Sequence, residues 1–565
     1  MALIDQPPLR LTRKLDMDLG AIEGRASVEA RLSFRLLKDL DVDDVGVAAS
    51  ARIESLAMTA PGDGPRIVSN DLRLEATPED FRLWGGASID GRPAQVSWTE
   101  RFDASLPEAQ RRQVSASLTL GPRDFAEFGL SPTLEMPGGR VSAQVELIGG
   151  AIGEGFSVTA DLGPADLRIA EVGWKKAAGV PGRLRVSGRA GDDGSVTLDA
   201  FEVKAAGLTA RGRASLGAGG ALRSVTLDRL ALEGVLDAAV SVRADAQGPM
   251  QVSVTGSMLD IAALTARRDG MAGVREGQAA DDPGAEDGDP LSGIPDMSGR
   301  LSFDVATLVE GVALHEATGE IRRRRGVTAV RVSGAVNGGS EARLRYREGR
   351  QGGISVSLRS DDAGRLLDDL SISDAGQGGA LRVRGRLPPG ESVLEGVAEL
   401  SDLRVAGRKA LDGVVTIARR DGVIERKSEG YEGGYSFTRV EAPFRLNGGI
   451  VTVTDALATG PLLALKVNGD YDLGSDQLDL QGVLTPAYAV NGILNNIPVI
   501  GELFGGEGEG LFAMNFTVVG DASDPRISAN PLSILTPGIL RRILQPSRPD
   551  PAAEDPYPDL FDNDK

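Results

Sequence analysis

Cysteine is absent from the 565 residues, which removes disulfides, thiolate nucleophiles and cysteine metal sites together. A chain without cysteine suits an oxidising compartment. Histidine is nearly absent too: His315, in VALHEATGEI, is the only one. A Ser–His–Asp relay or a zinc site would have to use it, and no cysteine or second histidine is there to join it. His315 therefore reads as a solvated strand residue. Aromatic side chains make up 4% of the chain, too few for a core built on large rings. No apolar run reaches the roughly 18 residues of a membrane-spanning helix, and the opening MALIDQPPLRLTRKLDMDLG lacks the apolar stretch of a secretory signal. Basic surplus is missing as well. A net charge of −19 argues against nucleic acid as a partner, because phosphate binding needs a basic face.

Helical periodicity is scarce; short helices are expected only near Pro107–Gln113, Arg123–Gly129 and Ala363–Leu370. A period of two fills most of the chain instead. In IEGRASVEARLSF the even positions from Ile22 to Phe34 are apolar or small, and Glu23, Arg25, Ser27, Glu29, Arg31 and Ser33 alternate with them. At about 3.3 Å per residue that strand spans roughly 40 Å, long for a globular protein. The same alternation resumes in RIVSNDLRLEA, QVSASLTLG and VSAQVELIGG, with Gly, Pro, Asp and Asn clustered between runs as turns require.

One unit recurs: apolar, any, apolar, any, Gly. It appears as LRVSG (Leu184–Gly188), LTARG (Leu208–Gly212), VSVTG (Val252–Gly256) and VRVSG (Val330–Gly334). It returns as LRVRG (Leu381–Gly385), LKVNG (Leu465–Gly469), LDLQG (Leu478–Gly482) and FTVVG (Phe516–Gly520). The glycine shares parity with the apolar positions, so it belongs to the apolar face, where it permits bending or close approach. Irregular spacing makes this an echo of one strand type rather than a fixed solenoid repeat.

Residues 269–298 are acidic, rich in Pro and Gly and without period, and read as a disordered loop; residues 545–565 read the same way. Arg322–Arg325 reads as a solvated hairpin end or as a contact for anionic headgroups. GGEGEG (505–510) lacks the lysine and hydroxyl of a phosphate loop, and the acids of 281–289 lack EF-hand spacing. No residue set points to an enzyme, a metal or a cofactor.

Near the C-terminus, FTRVEAPFRLNGGIVTVTDALATGPLLALKVNGDYDLGSDQLDLQGVLTP alternates apolar and polar residues, then gives way to AYAVNGILNNIPVIGELFGGEGEG and ends on DPRISANPLSILTPGILRRIL. Short helices are expected between Pro486 and Phe504. Asn530 reads as an N-cap and Pro531 as a first helical turn, with Leu532, Leu535, Ile539, Leu540, Ile543 and Leu544 at helical spacing beside Arg541 and Arg542. That stripe reads either as a membrane contact or as a plug on the end of the sheet. From EAPFRL to TPGILR this text resembles the AsmA-like C-terminal domain of the envelope superfamily that includes YhdP, TamB and AsmA. A weaker echo lies at 361–387, while VVTIARRDGVIERKSEGYEGGY departs from the pattern.

The resemblance implies a repeating β-groove that conducts phospholipid between inner and outer membrane across the periplasm. It also implies an inner-membrane anchor in relatives, so this chain reads as the C-terminal portion of a longer protein or as one cut to be soluble. The expected fold is mostly β: an elongated, twisted antiparallel sheet rolled into a gutter, with short helices at the C-terminal end. Segments are expected at 1–268, 269–298 (disordered), 299–436, 437–544 (AsmA-like) and 545–565 (disordered). Acyl chains would line Ile22, Val28, Leu32, Leu184, Val186, Val252, Val254, Leu381, Val383, Leu463, Leu465, Val467, Leu478 and Leu480. The partners expected are phospholipid acyl chains and both membrane surfaces. The alternative is a scaffold for outer-membrane protein assembly, its apolar face buried against protein.

Overall fold

A computed structural model describes residues 9, 11–15, 22–35, 45–59, 65–127, 134–148, 155–244, 248–276, 296–350, 352–406, 434–461, 463–486, 513–522 and 525–532. Among the described residues strand accounts for 70% and helix for 7%, as period-two text over most of the chain requires. The chain divides into two compact units. One holds residues 1–256 and 260–284, the other 257–259 and 285–565.

The first unit opens with a short helix, α1 (Leu11–Leu15). Six strands follow: β1 (Ile22–Ser33), β2 (Gly46–Thr59), β3 (Arg66–Ala76), β4 (Asp80–Ile89), β5 (Arg92–Arg101) and β6 (Arg112–Leu120), with α2 (Glu108–Arg111) before β6 and α3 (Pro122–Glu127) after it. Next come β7 (Glu135–Gly138), β8 (Val141–Ile148), β9 (Phe156–Asp161), β10 (Asp166–Ile169) and β11 (Trp174–Lys176). The unit closes with β12 (Gly182–Ala190), β13 (Val196–Ala205), β14 (Leu208–Leu216), β15 (Leu222–Leu232), β16 (Leu236–Arg243), β17 (Met250–Asp260) and α4 (Ile261–Glu276). Strands β1 to β6, β8, β9 and β12 to β16 form one antiparallel ladder, each paired to the next. Strands β7, β10 and β11 form a separate small sheet.

The second unit repeats the plan. Its strands are β18 (Met297–Val309), β19 (Val312–Arg324), β20 (Val327–Val336), β21 (Glu341–Glu348) and β22 (Ile354–Ser360). Helix α5 (Ala363–Asp369) follows, then β23 (Gly376–Gln377), β24 (Ala380–Leu387) and β25 (Leu394–Val405). The last six are β26 (Tyr435–Asn447), β27 (Ile450–Thr459), β28 (Leu463–Asp472), β29 (Gln477–Pro486), β30 (Ala513–Asp521) and β31 (Arg526–Leu532). All but β23 join one antiparallel ladder in chain order, and β23 pairs with the end of β25. The ladder passes through residue 437 without a break, because β26 pairs with β25 on one side and β27 on the other.

Tight turns set the register. Asp90-Gly91 and Arg325-Gly326 each hold two consecutive positive φ angles (47° and 81°, 50° and 78°), the backbone of a two-residue hairpin whose twist matches its strands.

Two expectations need correction. The acidic segment does not begin at 269: α4 continues as helix to Glu276, and Met297–Ser298 already belong to β18. Nor do Asn530, Pro531 and Leu532 start a helix. They are the end of β31, in register with Asn515, Met514 and Ala513 of β30, because an available ladder edge outweighs a local capping signal. The expected helices at Pro486–Phe504, the stripe from Leu535 to Leu544, the residues 407–433 and the tail lie outside the described residues, Pro486 itself excepted.

Candidate functional site

The sheet register places apolar residues directly opposite one another from strand to strand, and in each unit this builds continuous rows. In the first unit one row reads Ala26, Ile53, Leu72, Gly85, Val96, Ala116, Val145 and Val158. It continues through Val186, Phe201, Gly212, Leu227 and Val240. The adjacent row passes from Val28 through Leu74, Leu83, Trp98 and Leu147 to Phe156 and Gly188. Thirteen strands at about 4.8 Å make such a row roughly 60 Å wide. No polar side chain interrupts either stretch.

The second unit has the same construction. One row runs Gly299, Ile321, Val330, Tyr346, Val356, Gly385 and Gly396, then Phe444, Val453, Gly469, Leu480, Val518 and Ile527. Beside it lie Leu301, Gly319, Val332, Leu344, Leu358, Val383 and Ala398. Along β24 the row residues are buried or half-buried, and Arg382, Arg384 and Arg386 between them are exposed. One face is greasy and the other wet.

Glycine on the apolar face has a specific partner. Gly188, Gly212, Gly396 and Gly482 stand directly across from Phe156, Phe201, Phe444 and Phe516. A Cβ built on Gly482 would lie 2.5 Å from Phe516 Cζ, and one on Gly396 would lie 2.6 Å from Phe444 Cζ. In these two pairs the ring of one strand lies over the bare backbone of its neighbour, the arrangement in which a phenylalanine shields a strand glycine.

Local elements cover parts of this face. Helix α1 sets Leu11 and Leu15 onto Ala49, Ala76 and Phe81, flanked by Leu83 and Trp98; the Phe81 and Trp98 rings meet edge to face at 5.1 Å. At the other margin the small sheet drops Met136, Leu167 and Trp174 onto Val141, Ala160 and Leu232, with Ala263 and Leu264 of α4 against the same cluster. Lys176 anchors that cover. It is fully buried, and its ammonium donates to the carbonyl oxygens of Gly163 (3.0 Å), Ala165 (2.8 Å) and Ala177 (3.2 Å). Burial pushes its pKa below the ordinary value, opposed by the nearby charges of Asp161 and Asp166. In the second unit Leu463, Leu484, Met514 and Phe516 form a buried cluster with Leu465, Val467, Leu478 and Leu480 packed around it.

Of the residues expected to line a groove, Val28, Val186, Val383 and Leu480 stand in the rows named above, and the fourteen differ in exposure. Val28 and Leu32 on β1 are 49% and 60% exposed, as β1 ends the ladder. Ile22, Val186, Val252, Val254 and Val383 are half-buried, and Leu184 supports the cluster beneath the small sheet. Leu381 and Leu463 are buried in the wall itself. Of the expected membrane contacts only Leu532 is described, as backbone of β31; Leu535, Ile539, Leu540, Arg541, Arg542, Ile543 and Leu544 are outside the described residues. His315 is half-buried in β19, next to Glu316, whose φ of 51° marks a bulge. Among the described residues no group of acids and histidine could hold a metal ion, and no helix is long and apolar enough to cross a membrane.

The arginine run at 322–325 is split by the structure: Arg323 is buried and donates to Thr328 Oγ1 at 2.8 Å, while Arg325 sits in the turn. A larger cationic array is made by β21, β22 and β24. Arg343 faces Arg359, and Arg359 faces Arg382. Burial first, then the guanidiniums of Arg382, Arg345, Arg384 and Arg343, hold Arg359 below its ordinary pKa. The signal was present in RLRYR and RVRGR, arginine at every second residue, but only register shows that the strands are neighbours.

No protein-family model, curated protein or solved structure matches the chain.

Proposed function

We propose that this chain carries phospholipid by its acyl chains along the apolar face, as a passive conduit in the bacterial envelope with no bond made or broken. The observation that carries the reading is the unbroken apolar row across thirteen strands in each unit, backed by a polar face. A greasy sheet face demands a cover. Among the described residues the covering elements are a one-turn helix, a three-stranded sheet with α4, and α5, each local to part of the face. Acyl chains would complete it, since each buried methylene contributes about 0.8 kcal/mol. The scarcity of aromatics and the glycines under phenylalanine keep the rows low, leaving height above the sheet for a ligand. The C-terminal resemblance to AsmA-like domains supports the same reading.

Native mass spectrometry of the purified chain tests it. The expected result is several phospholipid molecules released per chain; a lipid-free chain, or stoichiometric capture of a barrel protein instead, overturns it.

A further inference from the structure

We propose that the polar face of β21, β22 and β24 is a docking surface for an anionic lipid bilayer, with its guanidiniums set on headgroup phosphates. The surface lies on the reverse of the apolar rows and does not depend on what those rows carry.

Six exposed arginines make it: Arg343, Arg345, Arg359, Arg382, Arg384 and Arg386. Register arranges them in two dimensions. Arg343, Arg359 and Arg382 are consecutive partners across three strands, Arg345 and Arg384 flank Ser357 in the next row, and Arg386 opposes Ser355 in the third. Partners across strands stand about 5 Å apart and neighbours along a strand about 7 Å apart. Like charges directly opposed in a ladder destabilise it, so this arrangement is an expense of the fold that an external anion would relieve. Acids are at the margins: Arg343 meets Asp361 at 3.6 Å with both side chains mostly exposed, and Arg384 meets Glu399 at 3.1 Å.

The chain's net −19 does not cancel this patch at working range. Charges more than about 8 Å away are screened at physiological ionic strength, so the local surplus decides what approaches. The face also selects its partner by what it lacks. Between the arginines it carries Ser355, Ser357 and Ala380, with no aromatic ring to stack a nucleobase and no apolar anchor for a protein hot spot. A planar array of phosphates needs neither. Phosphates spread in two dimensions match a two-dimensional cation array better than a single polyanion chain does.

The test compares the chain with the triple variant Arg343→Gln/Arg359→Gln/Arg382→Gln. Co-sedimentation would use phosphatidylcholine vesicles with and without phosphatidylglycerol, in about 0.1 M and about 1 M salt. The expected result is binding only to the phosphatidylglycerol vesicles, lost at high salt and about a hundredfold weaker in the variant. The variant should melt at the same or a higher temperature, because removing opposed like charges relieves the ladder. Wild-type binding by a folded variant overturns the proposal, as does preference for soluble polyglutamate over vesicles, absence of vesicle binding, or a variant that melts lower while still binding. Lipid released from the variant in native mass spectrometry should equal that of the parent. A parent that binds vesicles but releases no lipid would sink the conduit reading alone.

Discussion

Substituting Val383 by Asp places one carboxylate in the middle of an apolar row, between Leu358 of β22 and Ala398 of β25. Val383 is half-buried in a face that other side chains only partly cover, so the cost to folding is modest: about 1–2 kcal/mol for lost apolar contact. Against a total of about 5–15 kcal/mol the chain stays folded. The cost to a lipid-filled face is larger. A strand's width of about 4.8 Å faces roughly three methylenes, worth about 2.4 kcal/mol, or some fiftyfold in local occupancy. Moving a charge against acyl chains adds to that unless the carboxyl protonates. Because the row is one path, blocking one position should slow transfer of a labelled phospholipid between donor and acceptor vesicles by at least fiftyfold. Ser401→Asp, on the exposed reverse face of β25, should transfer at the parent rate. A photo-crosslinker at Val383 should capture lipid, and one at the exposed Asp479 should not. Equal capture at both positions, or parent-rate transfer by a folded Val383→Asp chain, would refute the one-sided path.

Other consequences are as direct. Gly482→Ala should lower unfolding free energy by about 1–3 kcal/mol, because the new methyl meets the Lys466 carbonyl oxygen and Phe516 Cζ, each at 2.5 Å, and adding Phe516→Leu should recover only the ring's share of the loss in urea melts. Lys176→Met should cost about 3 kcal/mol or more, since three carbonyl oxygens lose their donor inside a buried cluster; a calorimetric trace unchanged from the parent would contradict that role. Burial and Glu348 push the Tyr346 hydroxyl up to about 12, and its hydrogen bond to Asp476 followed by burial pushes Tyr471 up to about 12. The unfolded chain releases these protons first, from pH 10 upward, so between about pH 10 and pH 12 stability should fall as pH rises, and Tyr346→Phe with Tyr471→Phe should flatten that fall.

Strand content, the polarity of each strand face and the parity of the glycines could all be read from the chain alone. Side chains in a strand alternate strictly between faces, so Leu381, Val383 and Gly385 share a face with no reference to any neighbour. The short helices near 108, 123 and 363 were legible for the same reason: caps and turns are local. Asn530-Pro531 shows the limit, since the same residues that can open a helix can close a strand, and the free edge of β30 decided between them. Tertiary structure alone decided register, and register determines what each residue meets. It places Phe516 over Gly482, Arg359 between Arg343 and Arg382, and the ammonium of Lys176, at the end of β11, beside the carbonyls of Gly163 and Ala165 in the turn before β10. Those juxtapositions are sums over many distant pairings, and a slip of one residue would turn every side chain of a strand to the opposite face. Alternation is a property of each strand by itself; opposition across strands exists only once the neighbours are chosen.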